Sequence, residues 1–381
     1  MTFEVAEYEA RLARAQGLMA AAGLDALMLT TEPEVRYFTG FLTRFWESPT
    51  RPWFLIVPVR GKPVAVIPSI GAPLMGATWL DDIRTWRSPD YEDDGVSLVA
   101  ATLADLVPAG GVVGVPSGPE THLRLPLDSW HALHAALPDR TFGGDAGVMR
   151  RLRIIKSEAE IDRIQIACAI ADAAFARVPE IAAEGVPLSH IFRRFQLLCL
   201  TEGADWVSYV AGGAGPGGYG DIIAPATDVP LAAGDVLMLD TGVVRDGYFS
   251  DYDRNWSVGP PDAQTAEAYA RLIDASDSAL EIARPGIRAC DLFHAMDKVL
   301  TGGAGGSDAG RYGHGLGMQL TEWPSLIPAD QTVLEPGMVL TLEPGLELAP
   351  GRTMVHEENI VITEDGAAYL SVPAPSELPV I

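Results

Sequence analysis

The chain reads as an α/β (α+β) protein of two domains, and three observations predict this. Over roughly the first 150 residues, apolar strand-like runs alternate with segments of helical periodicity. The composition then shifts at Met149-Arg150-Arg151-Leu152-Arg153-Ile154-Ile155-Lys156, the most basic run present. Beyond it, helical segments precede a hairpin twice, first at Asp240 to Asp251 and again at Glu343 to Glu357. The boundary therefore falls near residues 150–157, giving a smaller domain over 1–152 and a larger one over 153–381. A chain of 381 residues is long enough to bury two cores.

In the first domain, Leu12, Ala15, Leu18 and Met19 share one stripe, predicting a helix over 8–22 that Gly23 caps. Residues 26–29 form a strand, and 33–38 a short helix opening after Thr31. Residues 53–58 and 63–67 pair as strands around Arg60-Gly61-Lys62. A helix over 97–106, a strand over 112–115 and a helix over 130–137 follow.

The second domain opens on Ser157 with Glu160 three residues later, a capping box. The helix it starts carries Ile161, Ile164, Cys168 and Ala171 at helical spacing and runs to about Val178. Another helix spans 188–201. The glycine-rich stretch 212–218 reads as a loop, and without a following Lys-Ser/Thr it is no phosphate loop. Helices over 265–283 and 289–300 flank Gly286.

Charge excludes some partners. A formal net charge of −24 repels nucleic-acid phosphate and anionic membrane surfaces. The start of the chain has neither a basic n-region nor an apolar signal run, and no apolar stretch reaches membrane-spanning length. Cys168, Cys199 and Cys290 are widely spaced in apolar helical contexts, which predicts reduced thiols, a cytoplasmic location and no catalytic cysteine.

Chemistry concentrates in the first hairpin. Val236-Leu237-Met238-Leu239 reads as a buried strand, and Asp246-Gly247 supplies the positive φ of a tight turn. That turn sets Val244 opposite Phe249, Gly242 opposite Asp251 and Asp240 opposite Asp253. Three carboxylates then share a face beside a glycine that leaves room. They repel unless a cation lies between them, a proton is shared, or the face is solvated.

Three further segments fit a cation. In Gly313-His314-Gly315 the glycines permit close approach to whatever the imidazole binds. Glu343 ends the apolar run Met338-Val339-Leu340-Thr341-Leu342, and Glu357 lies opposite it about Pro350 in a simple hairpin. The set Asp240, Asp251, His314, Glu343 and Glu357 suits two divalent ions, manganese first, with cobalt, iron or zinc as alternatives. Such a pair lowers the pKa of water towards about 7 and polarises a carbonyl, which amide hydrolysis needs.

Lys156-Ser157 with Glu160-Ile161, the Asp240/Asp251 hairpin, Gly313-His314-Gly315, Leu342-Glu343-Pro344-Gly345 and Glu357 with Ile360-Val361 together resemble the M24 metallopeptidases. These are the Xaa-Pro aminopeptidases, prolidases and creatinases. The resemblance spans essentially the whole chain. It implies a pita-bread catalytic domain behind a creatinase/prolidase-type N-terminal domain, a homodimer, and hydrolysis of an amide in a small peptide by metal-activated water. It also implies that Asp240 and Asp251 chelate one metal and that Asp251, His314 and Glu343 serve the other. Glu357 would bridge, Glu343 would act as general base, and Asp253 and Glu358 would stand behind the ligands.

Three positions depart from that pattern. Thr321 and Ile223 stand where proline peptidases carry histidines, and Val355 replaces an arginine, with His356 turned to the other face. Those departures keep open a small nitrogen-containing substrate, such as ectoine or creatine, or a lyase of the dimethylsulfoniopropionate-cleaving type. A vestigial binding module is the remaining reading, opposed by the intact ligand set. In creatinase-like dimers a stretch matching 41–53 reaches the partner's site, which implies substrate contacts for Trp46 with Arg44 or Arg51, beside Thr321. An aromatic core with surface arginines accounts for the same stretch.

Overall fold

The structure, a computed structural model, describes residues 2–47, 51–305 and 310–381. It separates into two units, Met1–Arg153 and Ile154–Ile381. No helix among the described residues is long and apolar enough to cross a membrane.

The first unit runs α1 (Val5–Ala22), β1 (Ala26–Leu29), α2 (Glu32–Thr39), β2 (Phe54–Pro58), β3 (Val64–Pro68) and α3 (Ala72–Met75). It continues with β4 (Asp82–Trp86), α4 (Val96–Leu106), β5 (Val112–Val115), α5 (Leu127–Ala136), β6 (Thr141–Gly144) and α6 (Val148–Ile154). Gly23 ends α1 in the left-handed region at φ 70°, where a β-carbon is strained. Thr31 and Glu34 cap α2 reciprocally. The six strands form one sheet in the order β4-β3-β2-β1-β5-β6, with β1 antiparallel to β2 and parallel to β5. Met28, Phe54, Ile56, Val66 and Val113 carry its core onto Val99 and Leu103 of α4. The edge strands β4 and β6 have no alternation in sequence because most of their residues stay partly exposed.

The second unit opens with α7 (Glu158–Phe175), capped by Ser157 and Glu160, and α8 (Leu188–Thr201). Then come β7 (Trp206–Pro216), β8 (Asp235–Arg245), β9 (Tyr248–Phe249), β10 (Tyr252–Ser257), α9 (Ala263–Ile282) and α10 (Ala289–Thr301). The chain closes with β11 (His314–Gly315), β12 (Glu322–Ser325), β13 (Val339–Leu342), β14 (Gly345–Ala349), β15 (Arg352–Val355), β16 (Glu358–Ile362) and β17 (Ala367–Tyr369). One sheet is β10-β8-β7 with β9 on β8, the second is β12-β11-β13-β16-β17, and β14-β15 form a ribbon.

The stretch 212–218 is largely strand, correcting the loop expectation. β7 pairs Ala211 with Asp240, Gly212 with Leu239 and Gly213 with Met238. Its glycines serve backbone crowding: a β-carbon on Gly212 would lie 2.1 Å from the Met238 carbonyl oxygen.

Both expected hairpins form in the expected register. Val244 pairs with Phe249 and Asp240 with Asp253. In the second, Gly345 pairs with Val355 and Leu342 with Glu358, which brings Glu343 and Glu357 opposite one another. Each ladder is interrupted where a carboxylate of interest stands. Ser250 and Asp251 lie between β9 and β10, while Glu343 and Glu357 lie between the ribbon and the five-stranded sheet. These breaks release backbone groups that other residues take up, as described next.

Candidate metal centre

Asp251, His314 and Glu357 are all buried, and each offers a ligand atom within 4.8 Å of the others. His314 Nδ1 is 2.8 Å from the Gly315 carbonyl oxygen, which fixes the proton on Nδ1. Nε2 then turns its lone pair to Asp251 Oδ2 at 3.3 Å, a contact that becomes attractive with a cation between the two.

Asp240 and Glu343, the other two expected ligands, fall outside that trio but lie near enough to act on its charges. The Tyr209 hydroxyl lies 2.8 Å from Asp240 Oδ1 and also contacts Asp251 Oδ1, tying the two aspartates together. Glu343 donates its N–H to the Tyr312 carbonyl at 2.9 Å, next to the Gly313-His314 segment. Burial, with Asp251 and Asp253 nearby, raises the Asp240 carboxyl well above the usual range. Glu357 rises likewise through burial and then Asp251 and Glu343, and Glu343 rises through burial. Among the described residues, Glu343 Oε2 and Glu357 Oε1 are buried without a hydrogen-bond partner. Orphaned carboxylate oxygens facing more carboxylates are costly in a protein alone. Divalent cations remove that cost, so this donor set fits a metal.

The surroundings hold the set in place. Asn359 takes both main-chain hydrogen bonds of Asp251 with its side-chain amide. Glu358 turns away: burial opposes its charge, but Arg254 at 2.9 Å, His356 and Ser371 hold it down at about 2. His356 is buried between Asp253 at 3.8 Å and Glu358 at 3.4 Å, in the break between β15 and β16. Lys156 forms a buried ion pair with Glu322 at 3.2 Å, and Glu322 accepts the Met318 and Gln319 N–H groups. That pair fixes the turn following His314.

The glycines do a different task from the expected one. A β-carbon at Gly315 would lie 1.9 Å from the Trp323 carbonyl oxygen, and one at Gly313 would lie 2.2 Å from that of Thr341. They admit neighbouring strands. The room beside Gly242 is filled by the Tyr209 ring, 2.7 Å from where a β-carbon would stand.

Sequence comparison decides the family. The model described as metallopeptidase family M24 matches residues 162–364, and that of the creatinase/prolidase N-terminal domain matches 11–155. The chain belongs to metallopeptidase family M24. Its M24 relatives include the probable dipeptidase PepE of Mycobacterium tuberculosis, 34% identical over 385 residues, covering 100% of this chain and 98% of that protein. The Xaa-Pro dipeptidase of Pyrococcus furiosus is 33% identical over 231 residues, 59% of this chain and 65% of that one. The crystal structure of dipeptidase PepE from Mycobacterium ulcerans superposes with a TM-score of 0.83 at 30% identity, covering 99% of both chains. The protein is thus a metal-dependent, peptidase-like M24 hydrolase with the pita-bread fold, and the osmolyte and lyase alternatives are not favoured.

Other expected site residues fall elsewhere or in part. Ile223 is 82% exposed. Thr321 is half-buried and accepts a hydrogen bond from Arg311 at 3.4 Å. Trp46 packs on Trp53 at 5.3 Å and on Phe41 at 6.4 Å, with the Arg124 guanidinium 5.3 Å from its ring. Arg51 lies 5.8 Å from the Phe45 ring, and residues 48–50 between them fall outside the described residues. Tyr209 and Asn359 carry no sequence signal of their own; only β7 read as a strand opposite Asp240 would have pointed to Tyr209.

Proposed function

We propose that this M24 hydrolase is a dipeptidase acting on Xaa-Pro dipeptides, with two divalent ions, manganese foremost, held by Asp240, Asp251, His314, Glu343 and Glu357. The observation that carries the reading is the buried cluster of Asp251, His314 and Glu357, in and beside which Glu357 Oε1 and Glu343 Oε2 have no hydrogen-bond partner among the described residues. When bound, the ions supply a polarised amide carbonyl and water of lowered pKa. Glu343, with its carboxyl raised by burial, would serve as the base that accepts a proton from the attacking water and returns it to the leaving nitrogen. Glu357 and Asp251 offset the added charge, and His314 is locked by Gly315 in the tautomer that presents Nε2. The names of the M24 relatives, dipeptidase and Xaa-Pro dipeptidase, support a dipeptide substrate.

The proposal includes a cytoplasmic homodimer in which Trp46, Arg51 and Thr321 contact substrate; the three buried free cysteines are compatible with a reducing compartment. The test is turnover of Ala-Pro by purified protein reloaded with Mn²⁺ after chelation, beside Asp251→Ala. Turnover that needs metal and vanishes in a folded Asp251→Ala supports the reading. Metal-independent turnover, or none with any of Mn²⁺, Co²⁺ and Zn²⁺, refutes it.

A further inference from the structure

A cleft of about 290 Å³ lies in the second unit, between the end of α7, the strand β10 and the segment 372–379. That is close to the lower end of small-molecule sites, roughly 300–1,000 Å³. None of the proposed metal ligands lines it. Its walls are rings: buried Phe175 and Trp256, with centroids 6.0 Å apart, beside Tyr269, Pro373 and Pro375. Asp172 and Arg254 are the charged residues of the lining.

Arg254 is only 8% exposed, and both its Nη atoms are engaged. Nη1 donates to the Asp253 and Glu357 carbonyls at 2.6 and 3.0 Å, and Nη2 to Glu358 Oε2 at 2.9 Å and to the Val372 carbonyl. These bonds hold the guanidinium still, while its Nε–H has no acceptor among the described residues. A buried donor left unused is costly, so a fixed one at a cleft wall favours an incoming oxygen. Asp172 is the half-buried complement. It accepts from the Tyr252 hydroxyl at 2.7 Å and the Val372 N–H at 3.0 Å, both neutral, and forms no ion pair among the described residues. Its oxygens keep lone pairs for a further donor.

Val372 sets the spacing between the two. Its N–H goes to Asp172 and its carbonyl to Arg254, so they hold the nitrogen and carbonyl ends of one amino-acid unit. A second such unit alongside meets the same partners in the same order, an acceptor for its nitrogen and a donor for its oxygen. The surrounding rings favour an apolar side chain. We infer that this cleft binds a free α-amino acid with an apolar side chain, its ammonium on Asp172 and its carboxylate on Arg254 Nε. In a dipeptide the two charged ends lie one residue further apart and miss the pair. Such amino acids are what a dipeptidase releases, so under the dipeptidase reading above the ligand is a product, held by groups outside the metal cluster.

The experiment is calorimetric titration of L-leucine into the full chain, chelated so that the metal cluster takes no part. N-acetyl-L-leucine, which lacks the ammonium, and 3-methylbutylamine, which lacks the carboxylate, are titrated beside it. Leucine is expected to saturate the protein, and each comparison probe to bind about tenfold more weakly or worse, the loss of one charged hydrogen bond. Asp172→Asn should weaken leucine by about tenfold or more. Ala176→Trp, at an exposed position in the lining, should fill the cleft and abolish binding. Thermal melts check that each variant is folded, and Ala176→Trp decides alone if Asp172→Asn is not. No saturable binding at millimolar leucine, equal affinity for the three probes, or unchanged affinity in a folded Ala176→Trp overturns the assignment. Turnover of Ala-Pro enters none of these readouts, so failure of the dipeptidase reading and failure of this site are told apart.

Discussion

Asn359 and Asp251 share a pair of hydrogen bonds that joins the two hairpins at the proposed ligand. The Asp251 N–H donates to Asn359 Oδ1 at 3.0 Å, and Asn359 Nδ2 donates to the Asp251 carbonyl. A side-chain amide thus replaces the strand neighbour that Asp251 loses where β9 ends. Asn359 is itself fully buried and fixed on β16, with its N–H on Ser371 Oγ at 3.1 Å and its carbonyl taken by Leu370 N–H. The separation of Asp251 from Glu357, two residues before Asn359, is set by this contact.

Asn359→Asp keeps the shape but turns the Nδ2 donor into an acceptor facing the Asp251 carbonyl. Outer contacts of this kind typically govern about 10- to 100-fold in metal affinity. Mn²⁺ titration followed by electron paramagnetic resonance should show a loss in that range for Asn359→Asp, with Asn359→Gln unable to restore it. Unchanged Mn²⁺ affinity in Asn359→Asp would remove Asn359 from the account of how the site is positioned.

The Lys156–Glu322 pair makes a different prediction. Both side chains are nearly inaccessible, at 2% and 1% exposure, and lie 3.2 Å apart. Removing one partner strands the other charge in the interior and costs about 3–5 kcal/mol. Lys156→Met and Glu322→Gln should each lower stability in urea by that order. Glu322→Gln is the more informative, since its amide oxygen still accepts the Met318 and Gln319 N–H groups. Catalysis in the surviving folded fraction should therefore fall less in Glu322→Gln than in Glu322→Ala. Equal activity in the two would show that the turn after His314 does not depend on Glu322.

Gly315 is a place where one methyl group decides the fold. A β-carbon there would stand 1.9 Å from the Trp323 carbonyl oxygen, which belongs to the neighbouring strand and cannot swing aside. Gly315→Ala should cost about 3 kcal/mol or more, among the large effects that single substitutions produce. Among the described residues Gly351→Ala meets no atom within 4 Å, yet its φ of 72° makes it a control for backbone strain alone. Thermal melts of the two variants separate crowding from strain; a Gly315→Ala protein as stable as Gly351→Ala contradicts the crowding argument.

The legibility of this fold followed the physics of each segment. The first hairpin register is readable because Asp246-Gly247 fixes every pair beyond it, so Asp240 opposite Asp253 is a consequence of counting. In the second, counting about Pro350 gives Leu342 opposite Glu358 although a bulge between Glu347 and Ala349 shifts the pairs nearest the turn. Capping boxes at Thr31–Glu34 and Ser157–Glu160 were equally local. What escaped was non-local. β7 hides behind glycines that read as a loop until the Met238 carbonyl is seen against Gly212. Tyr209 and Asn359 contribute through partners 42 and 108 residues away in sequence, distances at which composition and periodicity say nothing.

Metal removal and pH are linked through the same carboxylates. Burial raises Asp240, Asp253, Glu343 and Glu357 in the folded, metal-free protein. A carboxyl whose folded pKa exceeds its unfolded value of about 4 binds more protons when folded, so stability falls as pH rises from there through the raised values. Glu358 works in the opposite sense. Held at about 2, it contributes stability above the ordinary carboxylate range that is lost as pH falls towards 2. Chelated protein should therefore melt highest in mildly acidic buffer and lower on either side. Mn²⁺ displaces the protons of the raised group, so loading should release protons and widen the gap in Tm between loaded and chelated protein from pH 5.5 to pH 8. Calorimetric titration in two buffers of different ionisation enthalpy measures the proton release directly. A gap in Tm that is flat across that range, with no protons released, contradicts the assignment of Asp240, Glu343 and Glu357 as metal ligands.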